Sequence, residues 1–192
     1  MNNKDIFVGG VVVPLVVPVS DDDGSIDFEG LEILVEWLVN NGVNGLFVAG
    51  TTGRASYFTV KENASICKTV SKVAKGRVTI YAGCLDSGIH RILENSEIMA
   101  NAGADILVTT LPYYLSYSVC EAQCDLERII DKISMPIVLY NIPELIRISM
   151  DPVWVAEMAE HENIVGYKDS SGDINHLLDV LRLTKDKDFK VF

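Results

Sequence analysis

The sequence predicts an α/β fold built on a parallel sheet. Three observations carry this prediction. Short valine- and isoleucine-rich runs alternate six times with longer amphipathic stretches. Glycines at 42, 76 and 103 close three of those stretches, and they recur every few tens of residues. A further short run, residues 189–192, reads as a seventh strand just starting. Such alternation gives parallel strands with right-handed crossovers. Two architectures satisfy it: an open doubly wound sheet, or a closed eight-fold strand–helix barrel. A full barrel takes roughly 250 residues. At 192 residues the sequence reads as a barrel cut off in its seventh strand, or as an open sheet.

Taken in order, residues 10–19 are rich in valine and read as a fully buried first strand. Asp21-Asp22-Asp23-Gly24 is a solvated turn. Asp27 is placed to cap a helix whose apolar face is Leu31, Leu34, Val35 and Leu38, and Gly42 stops that helix. Residues 43–49 are a second buried strand, and Gly50-Thr51-Thr52-Gly53 follows. A helix over about 60–75 precedes a third strand, 78–82, which ends in Gly83-Cys84. Residues 89–102 are helical. Residues 104–109 make the fourth strand, followed by Leu111-Pro112-Tyr113-Tyr114. A helix over 119–133 leads to a fifth strand, 136–140, with Asn141-Ile142-Pro143 after it. Asp151-Pro152 is a cap with proline at the first helical position, opening a helix to about Glu160. Residues 164–168 are the sixth strand. Asp169, Ser170 and Ser171 then cap a helix over 174–183.

Composition excludes several functions. A net charge of −11 repels a phosphate backbone, so nucleic acid is not an expected partner. The longest apolar stretch, residues 11–19, is too short to span a bilayer and is broken by Pro14 and Pro18. Acidic residues flank it and no small-residue cleavage site follows, so it does not read as a signal peptide. None of Cys67, Cys84, Cys120 and Cys124 forms a Cys-x-x-Cys pair. They read as reduced thiols in the cytoplasm, with Cys120 and Cys124 packed one helical turn apart. No metal site is expected. No Gly-x-Gly-x-x-Gly follows the first strand, and no Gly-Lys-Ser/Thr follows Gly50, so neither a dinucleotide nor a P-loop motif is present. His90, His161 and His176 have no evident partner in sequence and receive no role.

What remains is a set of strand ends. In a parallel α/β fold the chemistry sits at the carboxyl ends of the strands. The second strand ends at Thr51 and Thr52 between glycines, the fourth at Tyr113 and Tyr114, the fifth at Tyr140 and the sixth at Lys168. Glycine-flanked backbone amides approach an anion closely and bind a carboxylate or phosphate. A phenol can carry a proton to or from a carbinolamine. Desolvation of a lysine disfavours its charged form, which leaves a nucleophilic amine able to add to a carbonyl. Each residue also has an ordinary structural reading: a tight turn, rim aromatics, a core tyrosine, a solvated strand terminus. Their joint placement outweighs those readings.

These motifs, in this order and near this spacing, resemble the dihydrodipicolinate synthase / N-acetylneuraminate lyase superfamily of pyruvate-dependent class I aldolases. The resemblance runs through Asp23-Gly24 and Ile26-Asp27, Gly50-Thr51-Thr52-Gly53, Pro112-Tyr113-Tyr114, Tyr140-Asn141-Ile142-Pro143 and Gly166-Tyr167-Lys168-Asp169. It covers essentially the whole chain. It implies a (β/α)₈ TIM barrel, here a single domain over 1–192 that stops in its seventh strand, and a homo-oligomer, either dimer or tetramer. It implies that Lys168 forms a Schiff base with pyruvate. Thr51 and Thr52 would hold the pyruvate carboxylate, and Tyr140 would shuttle protons. Tyr114 would reach into a neighbouring subunit's site as part of the proton relay. The iminium is itself the electron sink, so no cofactor and no metal is implied. The second substrate would be an aldehyde, or the reaction would cleave a keto sugar acid.

Two positions depart from the family pattern. Arg54 stands where family members often carry glutamate, and Leu145 stands where the synthase branch has an arginine, with Arg147 two residues further on. The expected function is therefore a pyruvate-dependent lyase or synthase of this family. The synthase proper, a sugar-acid lyase and a non-catalytic remnant are the alternatives. A flavodoxin-like binding module is a further one.

Overall fold

The computed structural model describes residues 9–192. Among them, seven strands stand in sequence order in one sheet: β1 (Val12–Pro14), β2 (Gly45–Val48), β3 (Thr79–Gly83), β4 (Ile106–Thr109), β5 (Ile137–Asn141), β6 (Ile164–Asp169) and β7 (Lys190–Val191). The pairings β1–β2, β2–β3, β5–β6 and β6–β7 are parallel. The helices are α1 (Phe28–Asn40), α2 (Val60–Ala74), α3 (Ile89–Asn101), α4 (Val119–Ile130), the short α5 (Pro143–Ile146), α6 (Pro152–Met158) and α7 (Ile174–Thr184). No helix among the described residues is long and apolar enough to cross a membrane.

The chain divides into two compact units. One holds Gly9–Gly83 and Glu97–Leu107, and the other holds Cys84–Ser96 and Val108–Phe192. In the first, α1 and α2 follow their sequence signals closely. Asp27 accepts from Gly30 N at 2.9 Å, and Leu31, Val35 and Leu38 are buried. Thr59 and Glu62 make a reciprocal capping box on α2. Gly42, with φ 81°, supplies the left-handed residue that ends α1, and Lys75 and Gly76, with φ of 51° and 72°, end α2. Arg77 grips Glu36 through two hydrogen bonds, at 2.9 and 2.6 Å, tying the α2–β3 turn to α1.

The first strand differs from expectation. Residues 10–19 read as one buried strand, but within them the sheet takes only Val12–Pro14, Val19 makes an isolated antiparallel bridge to Ile26, and Val11, Val16 and Val19 are exposed. Prolines at 14 and 18 cannot donate to a ladder, so the run cannot continue as strand. Leu15 alone is fully buried, and its N–H still reaches Phe47 O at 2.9 Å.

In the second unit, α4 carries its own capping box, Ser118 with Glu121, and α6 opens on Asp151, which accepts from Val153 N and Trp154 N. The buried face of α4 is Ala122, Leu126, Ile129 and Ile130. Cys120 and Cys124 lie off that stripe and are exposed, with the two thiols against each other one helical turn apart. The Trp154 indole donates to Glu127 at 2.7 Å, which links α6 to α4.

The pairing of β5 with β6 positions the site. Ile137 pairs with Ile164, but Val138 pairs with Gly166, so Val165 is an extra residue on β6. Because side chains alternate along a strand, a one-residue shift decides which of them share a face. From the shift onward Tyr140 pairs with Lys168, and Asn141 with Asp169. Gly166 sits at this point because β7 passes close by. A Cβ there would lie 2.7 Å from the Lys190 carbonyl oxygen. Gly166→Ala is expected to push β7 away and to cost about 1–3 kcal/mol, measurable as a lower denaturant midpoint. An unchanged midpoint would show that β7 yields freely.

Candidate active site

Lys168 ends the apolar part of β6, where Ile164, Val165, Gly166 and Tyr167 are buried and Lys168 is half-buried. Its amine does not point away from the sheet. Nζ lies 3.5 Å from the centre of the Tyr140 ring, and it donates to Ser170 Oγ at 2.9 Å. The Tyr140 side chain is 2% exposed, so the ring forms a buried floor beneath the amine. Of the residues singled out from the sequence, these two are brought together.

The opposite face of the same strand pair carries a cluster that sequence reasoning missed. Asp169, whose side chain is 6% exposed, receives the Tyr167 hydroxyl at 3.0 Å and Asn141 Nδ2 at 3.3 Å on Oδ2. Ser171 N reaches its Oδ1 at 2.6 Å. His176 Nε2 lies 2.8 Å from the Tyr167 oxygen and 3.5 Å from Asp169 Oδ2. Asn141 also donates to Ser149 Oγ and accepts from Met150 N. Two expectations are corrected here. Asp169 and Ser171 do not cap α7, because Asp173 does so, accepting from Asn175 N and His176 N. His176 is not without partners, and neither is His161, which faces Asp131 at 3.4 Å. Strand alternation over Tyr167-Lys168-Asp169 was the available signal, since it places 167 and 169 together on the face away from the lysine.

Burial pushes the Asp169 carboxyl up, but hydrogen bonds from Ser171, Asn141 and Tyr167 outweigh it and hold the group below the usual carboxylate range. Burial, then the charge of Asp169, pushes the Tyr167 phenol far above its usual value, so it stays a donor. The sign for stability follows from Asp169. A carboxyl depressed on folding contributes stability that is present above its unfolded value, about 3.9. That contribution is lost as pH falls through the lower folded value. Stability should therefore decline below about pH 4, and Asp169→Asn should flatten that part of the curve. Acid titration of the unfolding free energy checks this, and parallel curves for the two proteins would refute it.

The remaining candidates sit as follows. Tyr113 is half-buried, with its hydroxyl toward Leu85 O at 3.5 Å; burial and then Asp86 raise its pKa. Tyr114 is 91% exposed and adopts φ 81°. Within the other unit, Thr51 and Thr52 are exposed on a tight turn closed by Arg54 N to Thr51 O and Ala55 N to Gly50 O. Gly53 is buried there because a Cβ would come within 2.8 Å of the Leu15 carbonyl oxygen. Among the described residues, no three of His, Cys, Asp or Glu are grouped as a metal site.

Residues 7–192 match the model of the dihydrodipicolinate synthetase family. The chain belongs to that family. A DapA-like lyase of Pyrobaculum neutrophilum, itself uncharacterised, is 34% identical over 178 residues, which is 92% of this chain and 58% of that protein. The crystal structure of a dihydrodipicolinate synthase from Bacillus anthracis covers 97% of this chain and 63% of its own, with a TM-score of 0.90 and 29% identity. YagE, a prophage protein of E. coli K12 in the same family, solved in complex with pyruvate, covers 92% and 59%, with a TM-score of 0.86 and 29% identity. The expected fold class, a (β/α)₈ barrel of which this chain supplies seven strands, is borne out. The chain spans 58–62% of the length of the curated family members it matches.

Proposed function

We propose that this member of the dihydrodipicolinate synthetase family carries the Schiff-base centre of a pyruvate-dependent lyase or synthase. The observation that carries the reading is the Lys168 amine, held 3.5 Å above the buried ring of Tyr140 at paired strand ends. The unprotonated amine adds to the carbonyl carbon of pyruvate. The resulting carbinolamine loses its hydroxyl as water, with a proton supplied by Tyr140, and leaves an iminium. The Tyr140 phenolate takes a methyl proton, which gives an enamine; the enamine carbon attacks an aldehyde, Tyr140 returns the proton to the new alkoxide, and hydrolysis of the imine frees the product and the lysine. Cleavage of a keto acid is the reverse. Thr51 and Thr52 hold the pyruvate carboxylate by their match to the family motif.

Tyr114 completes the proton relay from a neighbouring copy, so the working form is a homo-oligomer, dimer or tetramer. An almost fully exposed tyrosine at φ 81° supports this, because a bulky residue adopts that conformation only at a cost of about 1–3 kcal/mol. The reaction as proposed is cytoplasmic. Among the family's branches, a sugar-acid lyase is the second reading. It is favoured by Leu145, which is 60% exposed and aliphatic where the synthase branch carries an arginine.

Borohydride reduction in the presence of pyruvate, followed by peptide mass spectrometry, tests the proposal. An adduct on Lys168 is expected. Absence of any adduct on the folded protein would overturn it. A panel of aldehydes and keto sugar acids then separates the branches.

A further inference from the structure

We infer that Tyr167 and His176 are positioning residues for Lys168, acting through Asp169 from the far face of the sheet. The inference rests on the reading that Lys168 forms the imine. Its basis is the direction of the hydrogen bonds. The single Tyr167 hydroxyl hydrogen goes to Asp169 Oδ2 at 3.0 Å. The phenol oxygen can then only accept from His176 Nε2, 2.8 Å away, so that nitrogen carries a hydrogen. A donor chain therefore runs from His176 to Tyr167 to a carboxylate that also takes Asn141 Nδ2 and Ser171 N.

Both ends of the chain are anchored. His176 lies in the first turn of α7, where its backbone N–H donates to the capping Asp173 at 3.2 Å. Asp169 is paired to β5 through Asn141 and to the chain beyond β7 through Phe192 O, which accepts from Asp169 N at 2.9 Å. Tyr167 and Asp169 flank Lys168 in sequence. Fixing both neighbours by side-chain bonds on one face fixes where the intervening side chain leaves the other face. The cluster thus holds the amine over the Tyr140 ring without touching substrate. A displacement of about 1 Å at a reacting group is enough to cost roughly 100-fold in rate.

The test compares Tyr167→Phe, His176→Phe and His176→Gln in the intact chain. Gln places an N–H near the position of Nε2, so it serves as the conservative rescue. Two readouts are taken well below each variant's melting temperature. One is the rate of borohydride trapping of pyruvate on Lys168. The other needs no pyruvate: it is acetylation of Lys168 by acetic anhydride, relative to the exposed Lys185 in the same sample. Both phenylalanine variants are expected to trap at least about tenfold more slowly and to shift the acetylation ratio toward that of an exposed lysine. His176→Gln should recover most of both. If folded phenylalanine variants match the wild type in both readouts, or if Gln rescues neither, the positioning role falls. A wild type that never traps pyruvate while the acetylation ratio still moves would remove the imine reading and leave the positioning role standing.

Discussion

Lys168→Ala is expected to abolish pyruvate trapping and to lower any lyase or synthase turnover by at least about 10³-fold. This is the scale seen when a covalent nucleophile is removed. The loss should fall on turnover more than on apparent substrate affinity, because in the proposed reaction the imine is an intermediate and not a binding contact. Folding should survive, since among the described residues Nζ bonds the exposed Ser170 hydroxyl and stacks on one ring. Lys168→Arg is an equally severe lesion: guanidinium is never deprotonated, so it cannot add to a carbonyl. Turnover assayed beside a circular-dichroism melt decides the matter. A folded alanine variant that still forms a reducible pyruvate adduct would place the nucleophile elsewhere.

Asn141→Leu is expected to be the most destabilising single change at the site. Asn141 is fully buried and bonds three ways: it accepts from Met150 N at 3.0 Å and donates to Ser149 and to Asp169, each at 3.3 Å. Leucine fills similar space but leaves the buried Met150 N–H unsatisfied and removes a donor from a charged carboxylate. Together these cost about 3 kcal/mol, or a fall of roughly 6–12 °C in melting temperature for a chain of this size. Asn141→Asp should be nearly as harmful, because it sets a second carboxylate against Asp169. Differential scanning calorimetry reads both, and melting at the wild-type temperature would show that the cluster adds no net stability.

The strand–helix alternation was legible because it is written locally. Gly42 and Gly76 carry the left-handed angles that end helices, while Asp27 and Asp151 accept the first backbone donors of α1 and α6. Lys168 and Tyr140 were legible as strand ends, for the same local reason. What could not be read was anything set by pairing between distant segments. The extra residue at Val165 follows from how β6 meets β5, and neither run signals it alone. With that register unknown, Asp169 looked like a helix cap and His176 looked isolated, although both are joined through Tyr167. The first strand was overread because valine content outweighed two prolines. The spacing of Cys120 and Cys124 told that they lie one helical turn apart, but not that they face solvent, because the buried face of α4 is chosen by what it packs against.

The additional residue on β6 has a consequence for how this segment tolerates genetic change. Loss of the codon at 165 would let Ile164 and Gly166 follow one another opposite Ile137 and Val138, with Tyr140 still opposite Lys168. A codon inserted after 166 has no such slack to absorb it: Tyr167 would come opposite Tyr140, and the amine would turn to the other face. A single-codon insertion there should therefore be far more damaging than loss of the codon at 165. The strand behaves like a reading frame, in which spacing carries as much meaning as the letters.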